Sequence, residues 1–145
     1  MLFEQVIANL AQELRLPDLR PDENGACALK LDDGVYAFNC EEDGAAFFVR
    51  TRVASISRSD DDAMAQLLAA NFFVDGIGGY ALGVDLNGDV FLTQRFLLEQ
   101  FSFPQFLVEF ARYVGASEYW TGELIEGGQL SMPGRASDVM NSIAV

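Results

Sequence analysis

The stretch GYALGVDLNGDVFLTQRF, residues 79–96, has two apolar-rich runs on either side of Asn87-Gly88, with acidic side chains flanking the turn. Two such short runs joined by Asn-Gly read as the strands of a β-hairpin. Asn-Gly is the favoured pair for a two-residue type I′ turn, which needs positive φ at both positions and sets Leu86 opposite Asp89. Asp85, Asn87 and Asp89 also resemble the start of a calcium loop. The glycine falls at the fourth loop position instead of the sixth, and the twelfth is Phe96, which has no carboxylate to close the site. The turn reading therefore prevails over a metal site.

Upstream, Gly76-Ile77-Gly78-Gly79 lacks a following Lys-Ser or Lys-Thr and leads into a strand, so it reads as a connection and not as a phosphate cradle. Before it, residues 60–73 form a helix with Ser59 as N-cap and Asp60, Asp61 and Asp62 at its positive end. The three acids diverge by about 100° each around the axis, which argues against a metal cluster. The helix body AMAQLLAANFF is apolar on more than one side, the mark of a second buried contact. Downstream, Phe103-Pro104 opens a third helix whose stripe runs through Phe106, Leu107, Phe110, Tyr113 and Val114 to Tyr119 and Trp120, ending near residue 123.

Towards the N-terminus, Leu2, Phe3, Val6, Ile7, Leu10 and Leu14 predict an amphipathic helix over residues 2–15, ended by Pro17 and Pro21. Three strand-like runs follow at 26–31, 35–40 and 45–53, joined by Asp32-Asp33-Gly34 and Glu41-Glu42-Asp43-Gly44. With Asp32 and Asp33 central in the first turn, Leu29 faces Tyr36 and Cys27 faces Phe38. A four-residue second loop then sets Phe38 opposite Phe47 and Tyr36 opposite Val49. The fold class is α+β: helix, three-strand antiparallel meander, helix, β-hairpin, helix. We expect one domain over residues 1–125 and a flexible C-terminal tail over 126–145, where glycine, serine and proline replace periodicity.

The chain has 145 residues and 22 acidic against 9 basic side chains, a formal charge of −13. That excess repels phosphate backbones and predicts no nucleic-acid partner. No uncharged apolar run reaches the roughly 18 residues that span a bilayer, and the N-terminus lacks the basic start of an export signal. No membrane role is expected, and Cys27 and Cys40 suit a reducing cytoplasm as small apolar residues. There is no histidine, so a serine or cysteine nucleophile has no usual base and a transition metal no usual ligand. Glu118 and Glu123 are one carboxylate pair among several, and nothing singles them out for acid–base work. No catalytic residue, metal or cofactor is expected.

Twelve phenylalanines and an apolar second helix exceed what one small sheet layer hides, which points to association. The run from Leu67 to Trp120 resembles the effector chaperones of bacterial type III secretion, the Tir/CesT-like family. The matching residues are Leu67, Leu68, Asn71, Gly78, Gly79, Leu82, Gly83, Asp85, Gly88, Val90, Leu92, Gln94, Phe106, Phe110, Val114 and Trp120. The resemblance implies a non-enzymatic homodimer in the bacterial cytoplasm that holds an extended N-terminal segment of a secreted effector. It also implies a dimer contact at Leu67, Leu68, Ala70, Phe72, Tyr80, Leu82 and Val84. Effector contacts by strand addition and apolar pockets are implied at Phe3, Ile7, Leu29, Leu31, Phe38, Phe47 and Val49. The alternative kept open is a chaperone-like regulatory or structural dimer that binds a folded partner.

Overall fold

The structure, a computed structural model, describes residues 1–32, 34–57, 59–72 and 79–127, with the main chain alone at 72 and 123–127. The elements are α1 (Phe3–Glu13), β1 (Ala26–Leu31), β2 (Gly34–Cys40), β3 (Ala46–Ser55), α2 (Asp61–Phe72), β4 (Ala81–Val84), β5 (Asp89–Leu97), one 3₁₀ turn (Leu98–Gln100) and α3 (Phe103–Gly127). The strands form one five-stranded sheet in the order β1-β2-β3-β5-β4. The chain divides into two compact units, Met1–Thr51 with Arg95–Val108, and Arg52–Gln94 with the chain from Glu109 onward. Gly76, Gly78 and nearly all of the expected tail lie outside the described residues.

In the first unit, α1 buries Phe3, Val6, Ile7, Leu10 and Ala11 on the face that its spacing predicts. The helix stops before Pro17 because Arg15 adopts positive φ (56°). Leu16 N–H then reaches Ala11 O (2.8 Å) and Arg15 N–H reaches Gln12 O (3.3 Å), the paired bonds of a Schellman cap without its usual glycine. α3 opens with a reciprocal cap: Ser102 N–H donates to Gln105 Oε1 (2.8 Å) and Gln105 N–H donates to Ser102 Oγ (3.4 Å). Phe47 is the hub of the core, its ring centroid lying 5.2 Å from Phe3, 6.2 Å from Phe38, 5.1 Å from Phe96 and 5.8 Å from Phe106. Most of the aromatic excess is thus resolved inside one protomer.

The first hairpin has the expected register, Cys27 facing Phe38 and Leu29 facing Tyr36. The second does not: Phe38 faces Val49 and Cys40 faces Phe47. Glu41 N–H donates to Ala46 O (2.9 Å), so the ladder runs one residue further before it turns. Asp43 Oδ1 accepts Ala45 N–H (2.9 Å) and Gly44 takes positive φ (71°). Because the slip is two positions, every side chain keeps its face.

In the second unit, the N-cap of α2 is Asp60 and not Ser59, its carboxylate accepting the N–H of Ala63 (3.0 Å). The β4–β5 turn also departs from expectation. Val84 faces Val90 and Asp85 N–H donates to Asp89 O (3.0 Å), leaving three residues in the loop. Gly88 alone takes positive φ (86°), and Leu86 is solvent-exposed with no strand partner. The cause is Asp85, whose Oδ1 accepts the N–H of both Asn87 (2.8 Å) and Asp89 (3.0 Å) and so selects a type I turn with a glycine bulge. α3 continues past residue 123 to Gly127 and buries Phe110, Tyr113, Ala116 and Trp120. Tyr113 O–H donates to Leu92 O (2.6 Å), tying the helix to β5.

Candidate functional site

A sheet with two ends has two edges, and each edge strand turns alternate N–H and C=O groups away from its neighbour. On β4 those of Leu82 point outward. Asn71, in the last turn of α2, takes both: its Nδ2 donates to Leu82 O (2.6 Å) and its Oδ1 accepts Leu82 N–H (2.8 Å). A carboxamide here imitates a paired strand and closes the middle of a four-residue edge.

On β1 the outward residues are Ala26, Ala28 and Lys30, as the Gly25 O–Cys40 N bond (2.9 Å) towards β2 dictates. Asp22 covers Ala26: its N–H donates to Ala26 O (2.8 Å) and its Oδ1 accepts Ala26 N–H (3.0 Å). Asp22-Glu23-Asn24-Gly25 thereby repeats the loop chemistry of Asp85-Leu86-Asn87-Gly88, down to the side-chain bond to Asn24 N–H (2.8 Å) and positive φ at Gly25 (73°). Beyond that cap, no described residue pairs with the outward main-chain groups of Ala28 and Lys30.

A groove of about 400 Å³ lies beside this open edge, lined by Leu16 to Arg20 and by Cys27 to Lys30. Leu16, Pro17, Leu19 and Leu29 give it apolar walls. Arg20 and Lys30 are exposed, and neither belongs to an ion pair among the described residues. A second depression of about 430 Å³ is electrostatically different, with Glu4, Asp22, Glu23, Glu41 and Glu42 along it and no basic residue. Cys40 borders that depression, and its thiol is pushed up by burial and by Glu4, Asp43 and Glu41. Burial and Asp22 push the Cys27 thiol to about 11, so neither cysteine offers much thiolate at neutral pH.

The residues expected to touch an effector are mostly core. Ile7, Phe38, Phe47 and Val49 have no exposed surface, Phe3 and Leu29 are 5% exposed, and only Leu31 is half-buried. Contact through Phe3, Ile7, Phe38, Phe47 or Val49 would first require the core to open. A charge at Phe38 or Phe47 would therefore unfold the unit, not merely block capture. What the sheet offers at this end is main chain at Ala28 and Lys30, with Leu29 and the residues after α1 as its wall.

The residues expected at a dimer contact divide in the same way. Leu67, Ala70, Tyr80 and Leu82 are buried within the second unit, and the side chain of Phe72 lies outside the described residues. Leu68 is 73% exposed and Val84 36%, so these two keep apolar surface available to a second copy. Leu67 and Leu68 differ because adjacent helical residues point about 100° apart. Sequence alone missed the roles of Asn71, Asp22 and Asp85, although the repeated Asp-x-Asn-Gly was a legible signal.

Among the described residues, no group of three or more metal-ligating side chains is gathered, and no helix is long and apolar enough to cross a membrane. Arg52 binds Asp89 (2.9 Å) and Arg95 binds Glu41 (2.7 Å and 2.8 Å), which uses these charges structurally. The partners hold both carboxyls below their usual range, chiefly Arg95 for Glu41 and Ser55 with Arg52 for Asp89.

Several solved structures share this architecture. The ExsC–ExsE complex contains a chain 22% identical, superposing at TM-score 0.71 over 81% of this chain and 90% of that one. In the HopA1–SchA chaperone–effector complex the figures are 19%, 0.69, 82% and 92%. For the Yersinia pestis type III secretion chaperone SycH, in complex with a stable fragment of YscM2, they are 16%, 0.64, 81% and 98%. At these identities the likeness establishes the fold. No curated protein sequence matches the chain. The model of one chaperone family matches residues 5–121, most of the chain and both of its units, and the chain thus belongs to the Tir chaperone protein (CesT) family.

Proposed function

We propose that this protein is a cytoplasmic type III secretion chaperone that binds an extended segment of an effector and keeps it soluble and export-competent. The observation that carries the reading is the difference between the two sheet edges. Asn71 covers Leu82 in the middle of the short β4, whereas β1 leaves two successive outward residues, Ala28 and Lys30, without a main-chain partner among the described residues, beside an apolar groove. An extended chain gains affinity there from main-chain bonds and selectivity from the groove. The HopA1–SchA chaperone–effector complex, and SycH with its fragment of YscM2, support a protein segment as the class of partner. Binding requires no chemistry, so the protein acts without catalysis or cofactor. Two copies associate through α2 and β4, with Leu68 and Val84 as the exposed apolar contacts. The 126–145 tail takes no part in this proposal.

The test is co-expression of the full chain with N-terminal effector segments of some tens of residues, followed by amide hydrogen exchange on the purified complex. We expect the amides of Ala28 and Lys30 to exchange fast in the free protein and slowly in the complex. A co-purifying effector that leaves both amides fast would refute strand addition at β1. Capture only of folded partners would refute the chaperone reading.

A further inference from the structure

The groove at β1 also carries information about what it accepts. We infer that the captured segment alternates acidic and apolar residues, with an acidic side chain opposite Lys30 and an apolar one opposite Leu29. The inference rests on the strand-addition reading above and adds the chemistry of the guest. Residues paired across two strands project to the same face of the sheet. Leu29 is buried on the inner face, so the guest residue beside it turns inward, towards the groove that Leu16, Pro17 and Leu19 line. Ala28 and Lys30 are exposed on the outer face, so guest residues opposite them turn outward beside the Lys30 ammonium.

Charge makes that outward position selective. The chain carries −13, and the second depression has five acidic residues along it and no basic one, so the surface as a whole repels an acidic peptide. Among the described residues, Arg20 and Lys30 stand at the groove without an ion-pair partner, and Asp18 is the one acid among the groove's lining residues. Lys30 meets the guest at fixed register because its own N–H and C=O make the ladder. An opposite-charge cross-strand pair contributes modestly, roughly a two- to fivefold change in affinity. Both partners are exposed, so salt weakens the effect.

The experiment uses the full chain and three synthetic peptides that alternate valine with glutamate, serine or lysine. Anisotropy measures affinity at low and high salt, and amide exchange locates the binding. The glutamate peptide should bind two- to fivefold more tightly than the serine peptide, the lysine peptide should bind least well, and the differences should shrink with salt. Arg20→Glu with Lys30→Glu should reverse the order, and both sites are exposed, so the fold is not at stake. Equal affinities, or an order that survives the double variant, overturn the charge inference; strand addition still stands if Ala28 and Lys30 are protected. Peptides that bind without protecting those amides overturn both. Protection without any peptide assigns the edge to a second copy and likewise overturns both.

Discussion

Proline at position 28 separates guest binding from folding, because the N–H it removes is bonded to no described residue of the protomer. Ala28 turns its main-chain groups off the sheet edge, away from β2, where they have no described partner. Proline is tolerated on an edge strand when its missing N–H faces outward, so Ala28→Pro should change stability by no more than about 1 kcal/mol, a few degrees in Tm. For a guest strand the change is severe. Ala28 and Lys30 offer two donors and two acceptors, worth about 0.5–1.5 kcal/mol each, so the ladder contributes about 2–6 kcal/mol. Proline deletes one donor, and its ring intrudes where a strand must approach to about 4.8 Å. We expect at least a tenfold loss, about 1.4 kcal/mol, by titration calorimetry with an effector segment. Leu29→Pro is the contrasting control: its main-chain groups lie in the β1–β2 ladder and its side chain is buried, so it should unfold the unit. Undiminished affinity in a folded Ala28→Pro protein would refute the assignment of β1 as the binding edge.

Other perturbations probe the supporting structure. Phe47→Ala empties the aromatic hub and should cost about 3–5 kcal/mol in denaturant unfolding, and a loss below about 1 kcal/mol would contradict its place in the core. Asn71→Ala removes two hydrogen bonds and frees Leu82, so we expect about 1–3 kcal/mol of destabilisation and a rise in larger species by light scattering. Leu68→Asp should shift the protein towards monomer in sedimentation with little change in protomer structure, since Leu68 is exposed there; an unaltered mass would reject this face as the dimer contact. Glu41 has a folded pKa below its ordinary value because of Arg95, so its contribution is present above the usual glutamate range and is lost as pH falls through the lowered value. Glu41→Gln should therefore lose less Tm than the parent between neutral and acidic pH, and superimposable profiles would count against the Glu41–Arg95 pair.

Apolar spacing along the chain was enough to specify the element order, because helical and strand periods of 3.6 and 2 are local properties. It also specified which residues share a face, Val6, Ile7 and Leu10 on α1 and Leu29, Phe38 and Val49 on the sheet, but the burial of Ile7, Leu29, Phe38 and Val49, expected at an effector contact, came from the structure. Local pattern placed the turn at Asn87-Gly88 but not its type, because the Asp85 carboxylate outweighs the dipeptide preference. Nor did it reveal which apolar residues remain at the surface. Leu67 and Leu68 are identical in type and adjacent in sequence, yet one is core and the other exposed, since burial depends on what the fold brings opposite each. Which sheet edge stays open belongs wholly to tertiary structure. That Leu82 on β4 is covered follows from Asn71 meeting a strand eleven residues away. That Ala28 and Lys30 are open follows from β1 lying last in the sheet, where half of its hydrogen-bonding groups face no neighbour.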